Sequence, residues 1–181
     1  MLTESLLIEE LRQWSKSVLE KPNKDFNNLP ACPFAEHTWD TGKVKVMLGE
    51  GGLWSDLIEI IKNFDDKYEV VIYCGIDYDT MTEEEFKKRL KLLSVETVKN
   101  NLWIMGSHPD SKTLEHAAEQ IDFAPLSSQD YYQIFLQKLD TLVKASDSII
   151  KKNYYKNYSK EDFNEFVELR RKRWLEEITA K

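Results

Sequence analysis

The sequence predicts an α/β fold: a small three- to four-stranded, at least partly parallel sheet flanked by helices, with a helical C-terminal extension. Three observations carry this. Strand-like runs at 43–48, 68–76 and 101–106 alternate with helical periodicity at 53–64 and 82–93, the spacing that right-handed crossovers between parallel strands need. The middle run, YEVVIYCGI, is apolar and branched without alternation, as a strand buried on both faces is. After residue 127 the apolar spacing reads as helix. A chain of 181 residues is of ordinary single-domain size, so 1–181 reads as one domain, with an α/β body over 1–126 and the extension over 127–181.

Leu7, Leu11, Trp14 and Val18 recur at helical spacing, the buried face of a helix from about Thr3 to Glu20 that Pro22 ends. Residues 21–42, KPNKDFNNLPACPFAEHTWDTG, are rich in Pro and Asn and hold no period. They read as a long loop with a short helical turn after Pro33, and long loops inside compact domains are often functional. KVKVML at 43–48 alternates as a half-buried strand does, and GEGG at 49–52 breaks it before Leu53, Leu57, Ile60, Ile61 and Phe64 mark a helix. Thr82 and Glu85 form a capping box for a helix faced by Phe86, Leu90 and Leu93.

NLWIMG at 101–106 reads as the third strand and runs into SHPDS. A short helical piece around Leu114–Gln120 follows, and IDFAPL is ambiguous between loop and a fourth strand. Ser127 or Ser128 then caps a helix faced by Phe135, Leu139, Leu142 and Val143. Ser159 with Asp162 opens the last helix, faced by Phe163, Phe166, Arg170, Trp174 and Ile178.

Hydrophobic residues at 41% and aromatics at 12% suffice for a core and exclude wholesale disorder. The net charge of −7 argues against general binding to nucleic acid or anionic membrane, which reward a net basic face. That average is uneven. Residues 151–181 carry nine Lys or Arg against six Asp or Glu, a net of +3, which leaves −10 for the rest. RRKR at 170–173 and the tyrosines at 154, 155 and 158 could meet RNA or an acidic partner, although basic residues late in a helix also suit its dipole unaided. No run approaches the length of a membrane-spanning helix, and the acidic start reads as ordinary structure rather than a leader or anchor. Two cysteines, Cys32 and Cys74, are too few for a disulfide scaffold, so the expected compartment is the reducing cytoplasm.

Ligands of open α/β sheets favour the carboxyl ends of the strands, where His108 and Asp110 are expected. There the imidazole could act as an oriented general base, or the pair could ligate a metal; alternatively, Asp110 caps a turn and His108 satisfies the strand end. Cys32, in PACPFAEH, stands where a helix opening at Pro33 would lower a thiol pKa, although free cysteines are also common in cores. Cys32, His37 and His108 are residue types that a divalent transition metal would accept, but their spacing matches no standard zinc pattern. Asp77 and Asp79 follow the central strand and are weaker candidates. His116 reads as a surface residue and Cys74 as core packing. GEGG lacks the Lys and spacing of a phosphate loop.

CPFA at 32–35 and HPD at 108–110 together resemble a bacterial family known only as a domain of unknown function. Its members begin with a helix bearing a Trp, here Trp14, then a CPFA loop, then a strand after a short basic segment, here KVKV at 43–46, and later a strand ending in HPD, here IMGSHPD. The similarity spans about residues 10–110 and implies considering Cys32 and His108 together. Two functions follow as expectations. In one, a small enzyme uses Cys32, His108 and Asp110 as thiol, polarising base and orienting acid, or as metal ligands, on a small molecule. In the other, a non-catalytic interaction or accessory protein uses PACPFA as a structural loop and the helical C-terminus to dock a protein partner.

Overall fold

A computed structural model describes residues 2–76, 81–109 and 131–180. Helix α1 (Glu4–Trp14) starts where the Thr3 hydroxyl accepts the Leu6 N–H, and it continues through one π turn over Ser15–Leu19. The long loop carries a two-rung antiparallel hairpin, β1 (Pro22–Asn23) with β2 (Leu29–Pro30), and the expected helical turn, α2 (Ala35–Asp40). Then follow β3 (Val44–Gly49), α3 (Leu53–Lys62), β4 (Val70–Gly75), α4 (Glu83–Lys99) and β5 (Leu102–Ser107). The capping box at Thr82 and Glu85 forms in both directions.

The sheet is mixed, as expected. β3 and β4 are parallel, in register from Val44 opposite Val70 to Gly49 opposite Gly75. The fourth strand, β6 (Tyr132–Lys138), lies antiparallel between β4 and β5, so the order is β3-β4-β6-β5 and the other three strands share one direction. The expected helix with Phe135, Leu139, Leu142 and Val143 on one face is therefore corrected. Phe135 belongs to β6, and helix α5 (Leu139–Ile150) begins only at Leu139. A strand flanked on both sides buries both faces, so YYQIFLQ presents an almost unbroken apolar run in which helical spacing arises by chance. The segment 127–181 thus supplies an interior strand as well as helices. IDFAPL, the piece at 114–120 and Ser127 and Ser128 fall outside the described residues.

Alternation along the strands divides the core. Val71 and Tyr73, Leu102 and Ile104, and Tyr132, Ile134 and Leu136 pack under α3 and Phe86 of α4. On the opposite face, Val46, Ile72, Cys74 and Tyr131 pack against Leu7 and Leu11 of α1. Cys74 is fully buried, as expected of core packing, and burial pushes its thiol pKa far up. After α5, a 3-10 turn over Tyr154–Asn157 leads to α6 (Lys160–Phe163), a π turn over Asn164–Glu168 and α7 (Leu169–Thr179). The Ser159 hydroxyl accepts the Asp162 N–H at 3.0 Å, the cap that the sequence predicts. Asn101 fastens this region to the sheet: its carbonyl accepts the Leu139 N–H at 2.8 Å, and its side-chain oxygen accepts the Asp140 N–H at 3.2 Å. Among the described residues no helix is long and apolar enough to cross a membrane.

Candidate functional site

β5 delivers His108 to the carboxyl end of the sheet, the location expected from its strand. The side chain is not open there. It is 1% exposed, set edge-on to Tyr132 with centroids 5.0 Å apart and to Phe86 at 5.9 Å. Its Nε2 lies 2.9 Å from the Met81 carbonyl. A carbonyl only accepts, so Nε2 carries a proton and donates it there, which withdraws that nitrogen from service as a base or ligand. Asp110, Asp77, Asp79 and His116 fall outside the described residues.

Cys32 is held by its backbone before its thiol is considered. Its N–H donates to the Leu19 carbonyl at the end of the π turn (2.9 Å), and its carbonyl accepts the Ala35 N–H (3.1 Å). α2 opens at Ala35 rather than at Pro33, and the amides of Phe34 and Ala35 reach the sulfur as the expected helix start would have them do. The outcome for the thiol is nevertheless reversed. Burial is the largest influence and pushes its pKa up; the two amides and the Arg170 charge pull down, Glu20 pushes up, and the balance is a raised value. Loss of hydration penalises the thiolate more than two hydrogen bonds stabilise it.

The rest of the loop is fastened to the C-terminal helices. Tyr154, 4% exposed, donates its hydroxyl to the Ala31 carbonyl and stacks on Phe26 with centroids 4.8 Å apart at 8°. The Asn27 amide donates to the Lys152 carbonyl at 3.1 Å, and the Asn157 amide to the Asp25 carbonyl at 2.8 Å. Tyr155 stands edge-on to both Tyr154 and Tyr158. Beyond them the Arg170 guanidinium lies over the rings of Trp103 (5.2 Å) and Phe166 (5.7 Å), with Arg173 also over Trp103.

These contacts place Cys32 and His108 in different surroundings. Trp103 points to the opposite side of β5 from Leu102 and Ile104, and Arg170, whose charge reaches Cys32, sits on the Trp103 side. His108 packs with Tyr132 and Phe86 in the layer beneath α3 and α4. Thiol and imidazole are therefore on opposite faces of the sheet, because the loop follows α1 across one face while β5 turns His108 into the other. His37 is exposed on α2, so the set Cys32, His37 and His108 is not gathered either. Among the described residues no three His, Cys, Asp or Glu side chains are grouped as metal ligands would be.

The residues that the structure adds are Arg170, Tyr155, Tyr158 and Trp103. Their signal was Arg170 itself, a charged residue on the apolar face of the last helix; RRKR as a block drew attention to net charge instead. Of its members, Arg171 pairs with Asp147 and Glu168, and Arg173 donates to the Ser94 hydroxyl. No family model, no curated protein and no solved structure matches this chain.

The raised thiol and phenol pKa values fix a sign for stability against pH. Burial pushes Cys32 and Tyr154 up, and Tyr158 up to about 12. Each group holds its proton more tightly folded than unfolded. Its contribution is intact below the unfolded pKa, about 8.5 for a thiol and about 10 for a phenol, and is lost as pH rises through the folded one. The urea midpoint is expected to fall above about pH 8.5 and more steeply beyond about pH 10; a midpoint that rises over that range contradicts the burial of these groups.

Proposed function

We propose that this protein is a non-catalytic binding protein, and that PACPFA is its structural latch, joining the end of α1 to the C-terminal helices. One observation carries the reading: the part-buried Cys32 thiol, its pKa pushed up chiefly by desolvation, lies on the face of the sheet opposite His108. A nucleophilic cysteine needs a base within hydrogen-bond reach or an environment that lowers its pKa. Cys32 has a raised pKa, and its backbone bonds to Leu19 and Ala35 serve the fold. The bonds from Tyr154 to Ala31 and from Asn27 to Lys152 support the same role. Within the C-terminal helices part of the basic charge is paired locally, as where Arg171 meets Asp147 and Glu168.

The test is the iodoacetamide reaction of Cys32, resolved from Cys74 by peptide mass. At pH 7.5 the folded protein is expected to react at least about tenfold more slowly than the urea-unfolded chain, since rate follows thiolate fraction and access. A folded rate above the unfolded one would mean an activated thiolate and would overturn the reading.

A further inference from the structure

Helix α4 is covered on two sides. Phe86, Leu90 and Leu93 pack on the sheet, and on the side of α7 Val98 meets Trp174 while the Ser94 hydroxyl accepts a hydrogen bond from Arg173. The remaining side is open among the described residues, yet apolar at its centre. Leu92 is 68% exposed and Val95 58%, the two most exposed large apolar side chains of the described chain. Lone exposed apolar residues are common on any protein surface. These two stand together: Lys88, Leu92, Val95 and Lys99 follow at four, three and four residues, which sets them in one stripe along the helix. The fold leaves both side chains largely in water, and a β-branched valine is a poorer helix former than the polar residues that an exposed position admits. The cations around them are uneven in their pairing. Lys87 pairs with Glu83 and Lys99 with Glu96, whereas the exposed Lys88 and Lys91 enter no ion pair among the described residues.

We propose that the outer stripe of α4 docks a partner protein through an acidic amphipathic helix, one with apolar residues at a and d spacing flanked by Asp or Glu. This names the partner class for the binding role above and rests on that reading. Leu92 and Val95, three residues apart, are the register that the apolar face of a second helix meets. Charge then selects among occupants. The chain as a whole is at −7, but this face offers two unpaired cations beside its apolar centre, so its complement is acidic. A second copy laid along the stripe about its Leu92–Val95 centre would set Lys88 against Lys99 when antiparallel and against Lys88 when parallel, and like charges oppose both arrangements. An anionic membrane would meet two apolar side chains and a net negative protein, too little insertion against too much repulsion. The apolar area is small, so the complex is weak and reversible, held jointly by burial of Leu92 and Val95 and by pairing of Lys88 and Lys91.

The experiment titrates the full-length protein into two fluorescein-labelled peptides of about three heptads and reads fluorescence anisotropy. One peptide carries Leu at a and d, Glu at e and g and Ala elsewhere; the other has Lys in place of each Glu. The acidic peptide should bind with a dissociation constant of roughly 10–300 μM, at least about tenfold tighter than the basic one. Its affinity should fall at least about threefold between about 0.05 and 0.3 M salt. Leu92→Gln combined with Val95→Gln should weaken binding at least about tenfold while unfolding near the wild-type temperature, as exposed substitutions do. Lys88→Glu combined with Lys91→Glu should turn the preference toward the basic peptide. The proposal is overturned if the acidic peptide shows no saturable binding up to about 1 mM, if either double variant binds it as the wild type does, or if both peptides bind equally. It is overturned as well if sedimentation velocity shows a wild-type dimer that Leu92→Gln dissolves, or if phosphatidylserine vesicles capture the protein and the acidic peptide does not, since the occupant is then a second copy or a lipid surface. An activated Cys32 would overturn the non-catalytic reading while leaving peptide binding in place, so the two failures are told apart.

Discussion

Tyr154→Ala will cost about 3–5 kcal/mol of unfolding free energy, the usual range for truncating a buried aromatic ring, and will open Cys32 to alkylation. The ring is nearly fully buried and stacked on Phe26, whose own exposure is 2%. Its hydroxyl binds the carbonyl of Ala31, one residue before the cysteine. Truncation therefore empties the space beneath the loop and frees the backbone that holds the thiol in place. Tyr154→Phe separates the two contributions. It keeps the stack, removes one hydrogen bond and leaves the Ala31 carbonyl to be satisfied otherwise, at a cost of about 1–3 kcal/mol. Urea denaturation measures both variants, and peptide-resolved alkylation measures the thiol. If Tyr154→Ala unfolds at the wild-type midpoint, the loop is not latched by this residue.

Tyr132→Ala will destabilise the protein by a similar amount, about 3–5 kcal/mol, without changing the rate at which Cys32 reacts in the folded state. Tyr132 opens β6, is fully buried and stacks on Phe86 at 5.0 Å, with the His108 ring edge-on against it. Its loss leaves a cavity between α4 and the sheet and removes packing that fixes the imidazole. Aromatic pairs add about 0.5–1.5 kcal/mol beyond buried area, so the upper half of the range is expected. The indifference of Cys32 is the informative part. A catalytic pair would transmit a disturbed imidazole to its thiol, whereas residues on opposite faces of a sheet do not. A cost below about 1 kcal/mol would mean that this segment is not the interior strand.

Much of the architecture was legible in local patterns. The two parallel strands β3 and β4 announce themselves by alternation in KVKVML and by the apolar run of YEVVIYCGI, and α4 by its capping box, because each signal is complete within a few residues. β6 was not legible, since its identity depends on flanking strands that are distant in sequence, and its apolar run merges with the helical spacing of Leu139 and Val143. The candidate site divides in the same way. That Cys32 would meet backbone amides at a helix start could be read locally. That burial would outweigh them depends on Tyr154, Tyr155 and Arg170, which lie more than a hundred residues away. His108 was placed correctly at a strand end, but which face it takes is decided by the packing of Phe86 and Tyr132. Arg170 stood among apolar positions in its helix, a conflict between local charge and buried face of the kind that functional sites produce.

The central claim, that Cys32 is a latched and protonated thiol independent of His108, is tested most directly by the pH dependence of its alkylation. The rate should be followed by peptide mass in the wild type and in His108→Gln. The expected result is a titration midpoint above the free-thiol value of about 8.5, the same in both proteins. A wild-type midpoint below about 7.5 that moves up in His108→Gln would show a thiolate stabilised by the imidazole and would contradict the account.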